Sequence, residues 1–359
     1  MTVSSNQAPL QSAKNSKVLP IMIPKDLSAT FFYALPAACI CGDPDYSDWY
    51  HMNYLDFYGY KNIMNDAKYE FRFVDAISYI DRGVHLNEAI ELDRYDLTHF
   101  SCIDLISFLR EQIDSWTYVI LFVDESKIPN SPFSAIGHEY LVYGYDDHTQ
   151  ELYLLGMDQK RQYEKTKLPY TIVHNAFDSL IRNYTQGKRL YQLCVTNRYS
   201  SLANGENYCF SHHIVREYKE EVFVHKIRTY LDAQITEGSL RVINEQINPK
   251  IACGIDTADV LHSYLSEVES GKNQFEFNVP FFFLDHKRCV YNRILYAHEK
   301  TQRNSYRYIA DAYRDVVQMF EQFKNVHMKR QFQNNLDMQY LKDLLERIVE
   351  TERQVLAQI

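Results

Sequence analysis

The apolar residues of this 359-residue chain change their spacing once, near Glu217, and that change limits the fold more than any other feature. From Val18 to about Tyr199, short apolar runs alternate with helical stretches. Ser101–Ser115 carries Ile103, Ile106, Phe108, Leu109 and Ile113 at the spacing of an amphipathic helix. TYVILFVDE is a short, continuous, β-rich apolar run, which reads as a fully buried strand. HEYLVYGY and ELYLLGMD read as two strands joined by DDHTQ, a segment of hairpin length. KYEFRFVDAI and KRLYQLCVTNR read as further strands, and YTIVHNAFDSLIRNY as a helix. WYHMNYLDFYGY reads as a helix capped by Asp45 or Ser47 and stopped by Gly59.

Beyond Lys219, about five segments place apolar residues three and four apart. The expectation is an α+β chain: a flexible polar tail over residues 1–19, a mixed domain with an antiparallel sheet over 20–200, and a mainly helical domain over 201–359. The last helix, with Leu336, Tyr340, Leu344 and Ile348, has a face suited to a coiled-coil-like contact, so a homodimer is an open alternative.

Composition narrows the function. The net charge is -9, from 38 Lys+Arg against 47 Asp+Glu, which disfavours nucleic acid as a partner because phosphates are bound by clustered cations. The longest apolar run noted, VPFFFL, is far shorter than a membrane span, so no membrane partner is expected. The N-terminus lacks the apolar core of a secretory signal, and the seven cysteines form no regular framework, which together suggest reduced thiols and a cytoplasmic setting. No glycine-rich phosphate loop is present. The adjacent His212 and His213 do not face one way on a regular element, so neither a metal nor another cofactor is expected.

The segment richest in chemistry runs from His138 to Asp158. A histidine opens one strand, and an aspartate closes the next. In an antiparallel hairpin these two ends lie side by side, so Asp158 could orient the His138 imidazole and leave its other nitrogen to act as a base. A plainer reading makes His138 an ordinary strand-end residue and Asp158 a turn residue. Spacing alone leaves both open.

The run GHEYLVYGYDDHTQELYLLGMD resembles the histidine hairpin of papain-like enzymes of the bacteriocin-leader-peptidase type. It is closer still to the family typified by the butirosin-biosynthesis acyltransferase and its relatives in nonribosomal-peptide gene clusters. CGDPDYSDWYHMNYLDFYGY and VILFVDESKIPN resemble the N-terminal half of that family, so the likeness spans roughly Pro20 to Leu180. The resemblance implies a papain-like fold with a Cys-His-Asp arrangement. A cysteine at a helix N-terminus would take an acyl or peptidyl group from a carrier-protein thioester and pass it to an amine acceptor. No cofactor is implied, and peptide hydrolysis is a close variant. His138 matches the histidine and Asp158 the orienting carboxylate. At the nucleophile the sequence departs from the pattern, since the slot falls near Tyr46 or Ser47, and Cys41 lies five or six residues earlier. Three alternatives stay open: Cys41 as nucleophile, Ser47 as nucleophile, or a catalytically silent relative that binds partners in a biosynthetic assembly.

Overall fold

In the computed structural model, the residues described are 15–27, 31–62, 68–73, 90–96, 104–131, 136–159, 162–183, 189–195, 217–234, 251–329 and 338–359. In chain order the elements are β1 (Ser16–Val18), α1 (Phe31–Cys41), α2 (Ser47–Met52), β2 (Phe57–Asn62), β3 (Lys68–Phe73) and β4 (Ile90–Asp96). There follow α3 (Leu105–Asp114), β5 (Thr117–Asp124), β6 (Ile136–Asp146), β7 (Glu151–Met157), β8 (Tyr163–Pro169), α4 (Tyr170–Asn183) and β9 (Arg189–Val195). The last are α5 (Glu220–Leu231), β10 (Ile251–Cys253), α6 (Thr257–Glu269), α7 (Val279–Thr301), α8 (Asn304–Lys329) and α9 (Met338–Leu356). The architecture is α+β, with an antiparallel sheet and a mainly helical C-terminal region.

The chain forms two compact units. The first takes Met1–Pro20 and Asp93–Cys194, and the second Ile21–Leu92 and Val195–Ile359. This differs from the division expected from pattern. Residues 21–92 belong with the C-terminal helices, because α1, α2, β2 and β3 find their packing partners there.

The first unit is built on a sheet of order β4-β9-β5-β6-β7-β8, with β1 added against β6. TYVILFVDE forms β5, flanked by β9 and β6 and buried along almost its whole length, as a continuous apolar run requires. Strand β6 is long enough to serve two neighbours on one side: its first part pairs with β5, and Gly144–Asp146 pair with β1. Ser16–Val18 are therefore strand, not tail. Helices α3 and α4 turn Leu105, Leu109 and Ile113, and Val173, Phe177 and Leu180, into the core.

The β5–β6 ladder slips by one residue near its end. Val123 pairs with His138, but Asp124 pairs with Ile136, so Gly137 is the additional residue. Its φ of +93° lies in the region open to glycine and strained for other residues. Just beyond, the Asp124 carboxylate accepts from the Ser126 amide at 3.1 Å and the Ser179 hydroxyl at 2.6 Å, tying α4 to the end of β5.

In the second unit a three-stranded sheet of order β10-β2-β3 lies with the helices. WYHMNYLDFYGY is not one helix. Helix α2 ends at Met52, Tyr54 takes a positive φ of 65°, and Gly59 sits within β2 opposite Phe71. The stop comes from far along the chain, because the buried Arg293 guanidinium of α7 donates to the carbonyls of Tyr50 and Asn53 at 3.2 and 2.8 Å. Arg293 also pairs with the buried Asp26 carboxylate, which accepts from Tyr50 Oη at 2.6 Å. VPFFFL opens α7 and contributes Phe283 and Leu284 to the core. Among the described residues no helix is long and apolar enough to cross a membrane.

A second buried charge lies one turn and a half earlier on α7. Lys287 Nζ donates to both Glu352 oxygens at 2.9 and 2.8 Å and to Tyr230 Oη at 2.7 Å, and Tyr313 donates to the same carboxylate. Removing one partner of such a pair strands an uncompensated buried charge. Glu352→Gln is therefore expected to lower stability by about 3–5 kcal/mol, measured as a fall in the urea unfolding midpoint at unchanged slope. A change within about 0.5 kcal/mol would mean that the pair contributes as little as a surface ion pair.

Candidate functional site

The chemistry of the first unit gathers where the β5–β6 ladder slips. His138 and Tyr140 are two residues apart on β6 and share a face. Glu125 follows β5 directly, in a 3-10 turn, and is wholly buried. Tyr140 Oη donates to Glu125 Oε1 at 2.9 Å. The imidazole lies beside the same carboxyl group, with Nδ1 3.8 Å from Glu125 Oε2. Glu139 Oε2 also approaches Nδ1, at 3.6 Å, from a side chain that keeps 17% of its surface in solvent.

Burial dominates the electrostatics. It pushes the Glu125 carboxyl above its ordinary value, against hydrogen bonds from Ser131 and Tyr140 that act the other way. It pulls His138 down to about 4, against a hydrogen bond to the Glu139 backbone. The imidazole is therefore neutral at pH 7, the form that can accept a proton. Gly156 on β7 helps to hold this arrangement, because a Cβ there would meet the Tyr140 ring at 2.2 Å.

Asp158 lies at the same end of the hairpin as His138. The β6–β7 register pairs Leu141 with Leu155, and three further steps along each strand reach His138 and Asp158. The Asp158 carboxylate accepts from the Gln162 amide at 2.8 Å, and its own amide donates to the Gln162 carbonyl at 2.8 Å, closing the turn into β8.

Cys41 and Ser47 belong to the second unit. Cys41 is the last residue of α1, a helix whose residues Tyr33–Ile40 are all buried. That end carries the helix carbonyls, which disfavour a thiolate. Burial and then the Asp26 carboxylate push the thiol well above its ordinary value, with Arg293 opposing them. The chain has no cysteine before Cys39, so none precedes α1. Ser47 opens α2 on the wall of an open cavity of about 520 Å³, with Asp48, Tyr296 and Lys300 beside it. Its hydroxyl lies 3.4 Å from Tyr296 Oη, and the Asp48 carboxylate takes both the Tyr296 hydroxyl and Lys300, the latter at 2.8 Å. His51 stacks on Tyr296 at 3.8 Å and places Nδ1 2.8 Å from the Ser47 carbonyl oxygen rather than toward its hydroxyl.

Glu125 and Tyr140 were not legible as functional residues. Glu125 follows an apolar strand with no motif around it, and the one sequence signal was the glycine before His138, which marks a bulge. Lys165 and Lys167 of β8 lie over Tyr143 and Tyr153, and Arg182 of α4 pairs with Asp178. Lys160, Arg161, Lys188, His212, His213, Cys102 and Cys209 lie outside the described residues.

The buried histidines make stability sensitive to acid. His51, like His138, is brought down to about 4, by burial first and Arg293 second. The unfolded chain then binds protons that the folded chain refuses. Stability is complete above pH 6.5 and falls between 6.5 and 4, by roughly 3 kcal/mol for such a shift. His51→Gln is expected to flatten that slope in urea titrations at pH 6.5, 5.5 and 4.5, and an unchanged slope would contradict it. No protein-family model matches the chain, and no curated protein matches it.

Proposed function

We propose that this chain is an acyl-transfer enzyme of the kind its sequence resembles, moving an acyl or peptidyl group from a carrier-protein thioester to an amine, with His138 as the base. The observation that carries this reading is the neutral imidazole held at the slipped end of the β5–β6 ladder beside the buried Glu125. A thioester is already activated toward amines, so the step needs no acyl-enzyme. The amine nitrogen bonds to the thioester carbonyl carbon, the C–S bond breaks, and His138 takes the amine proton and returns it to the departing sulfur. Holding the two reactants in register would supply much of the rate. The state of Cys41 supports transfer without a thiol: it ends its helix and sits near the Asp26 carboxylate, and its thiol is held above its ordinary value.

A second reading, a catalytically silent binding protein, draws on the same observation, since a papain-like nucleophile would precede a buried helix and here the cysteines close one.

The test offers the purified chain a panel of acyl N-acetylcysteamine thioesters with amine acceptors, and reads amide by mass spectrometry. His138→Ala is expected to lower kcat by 100-fold or more, as removal of a general base does, while Cys41→Ala stays within about threefold of wild type. Loss of activity in Cys41→Ala, with acyl mass trapped on Cys41 in the wild-type chain, would favour the covalent route. No amide with any pair would favour the silent reading.

A further inference from the structure

Sequence spacing assigns the orienting of His138 to Asp158. The atoms around the imidazole suggest a different carboxylate. We infer that Glu125 positions His138, and that Tyr140 holds Glu125 in place. The inference deepens the acyl-transfer reading, since it names the group behind its base.

Three observations carry it. First, the carboxyl is beside the ring: Glu125 Oε2 is 3.8 Å from Nδ1, within reach of a hydrogen bond after a shift of less than 1 Å. Second, the group is held in the interior. Glu125 has no exposed surface, Oε1 takes the Tyr140 hydroxyl at 2.9 Å, and Tyr140 is pinned by its close approach to Gly156. A carboxyl so enclosed acts through a poorly screening medium. Third, the backbone aims the pair. His138 pairs with Val123 and Tyr140 with Leu121 in the unbroken part of the ladder, which puts both side chains on one face at the end of β5 that runs into the Glu125 turn.

The competing groups are Glu139 and Asp158. Glu139 is nearer to Nδ1 at 3.6 Å, but it is partly solvated and is the immediate neighbour of His138 along a strand, where successive side chains leave opposite faces. Asp158 accepts from the amide of its own turn. With Glu125 as the acceptor, the proton sits on Nδ1, and Nε2 is the basic nitrogen. Glu125 is thus a positioning residue, not a catalytic one, because it acts on substrate only through His138.

Long-range proton–nitrogen NMR on the full chain, with ¹⁵N-labelled histidine and His138→Gln to assign the signal, reads the tautomer without any acyl donor. It therefore separates this inference from the proposed activity. In wild type at pH 7, His138 is expected almost wholly as the Nδ1–H form. Glu125→Leu is expected to shift it toward the mixture of free imidazole, in which Nε2–H prevails. Tyr140→Phe is expected to move it part of the way, and this milder variant stands in if Glu125→Leu does not fold. Glu139→Gln and Asp158→Asn are expected to leave the tautomer unchanged. In the acyl-transfer assay, Tyr140→Phe and Glu125→Leu should lower kcat by at least tenfold, with KM within twofold, and Glu125→Asp should recover part of the loss. A tautomer that follows Asp158→Asn or Glu139→Gln, or that ignores Tyr140→Phe and Glu125→Leu alike, would overturn the inference.

Discussion

An unbroken stretch of strand ladder sets the chemistry of the first unit. Residues paired across an antiparallel ladder share a face, as does every second residue along each strand. His138 pairs with Val123 and Tyr140 with Leu121, and the one-residue slip at Gly137 comes only beyond the first of these pairs. His138 and Tyr140 then meet Glu125, which a short turn delivers from the end of the neighbouring strand. The pairing is costly in isolation, because a carboxyl group and an imidazole both lose water. Both are pushed toward their neutral forms, so the imidazole is unprotonated and able to accept a proton at neutral pH.

The second unit spends its buried polarity differently. Helix α7 carries Lys287 and Arg293 into the interior, and each finds a carboxylate and further hydrogen-bond partners. Arg293 closes α2 by bonding to the carbonyls of Tyr50 and Asn53, the first of which also accepts from the Asn53 amide. The same pair bears on Cys41: the Asp26 carboxylate raises the thiol, and Arg293 opposes it incompletely. Here the buried charges serve architecture. The thiol, on the carbonyl end of α1 and near a carboxylate, is held toward its protonated form, whereas a reactive cysteine is held toward the thiolate.

Much of the fold was legible because its signals are local. The continuous apolar run of β5, the alternation of β3, the hairpin around DDHTQ and the periodic faces of α3, α4 and the C-terminal helices all stand where pattern puts them. The failures share one cause: a distant partner overrides local preference. α2 ends where a guanidinium from α7 caps it, and Ser16–Val18 become strand because β6 has a free stretch of edge. Residues 21–92 join the C-terminal helices for the same reason, since their hydrophobic faces are completed there. Of the site, the histidine and its place at the hairpin end were readable. Glu125 was not, because nothing in VDES distinguishes a buried carboxylate from a solvated one. Only the register of the ladder and the hydrogen bond from Tyr140 reveal it.

The direct measure of the central interaction is its coupling energy. A double-mutant cycle over His138→Gln and Glu125→Gln, followed by urea unfolding at pH 7, separates contact between the two groups from their separate contributions to folding. Groups in contact in the interior should give non-additive losses, differing from the sum by about 0.5–3 kcal/mol. Losses that add to within about 0.3 kcal/mol, as for residues well apart, would contradict the account, because the imidazole and the carboxyl would then not be reading each other.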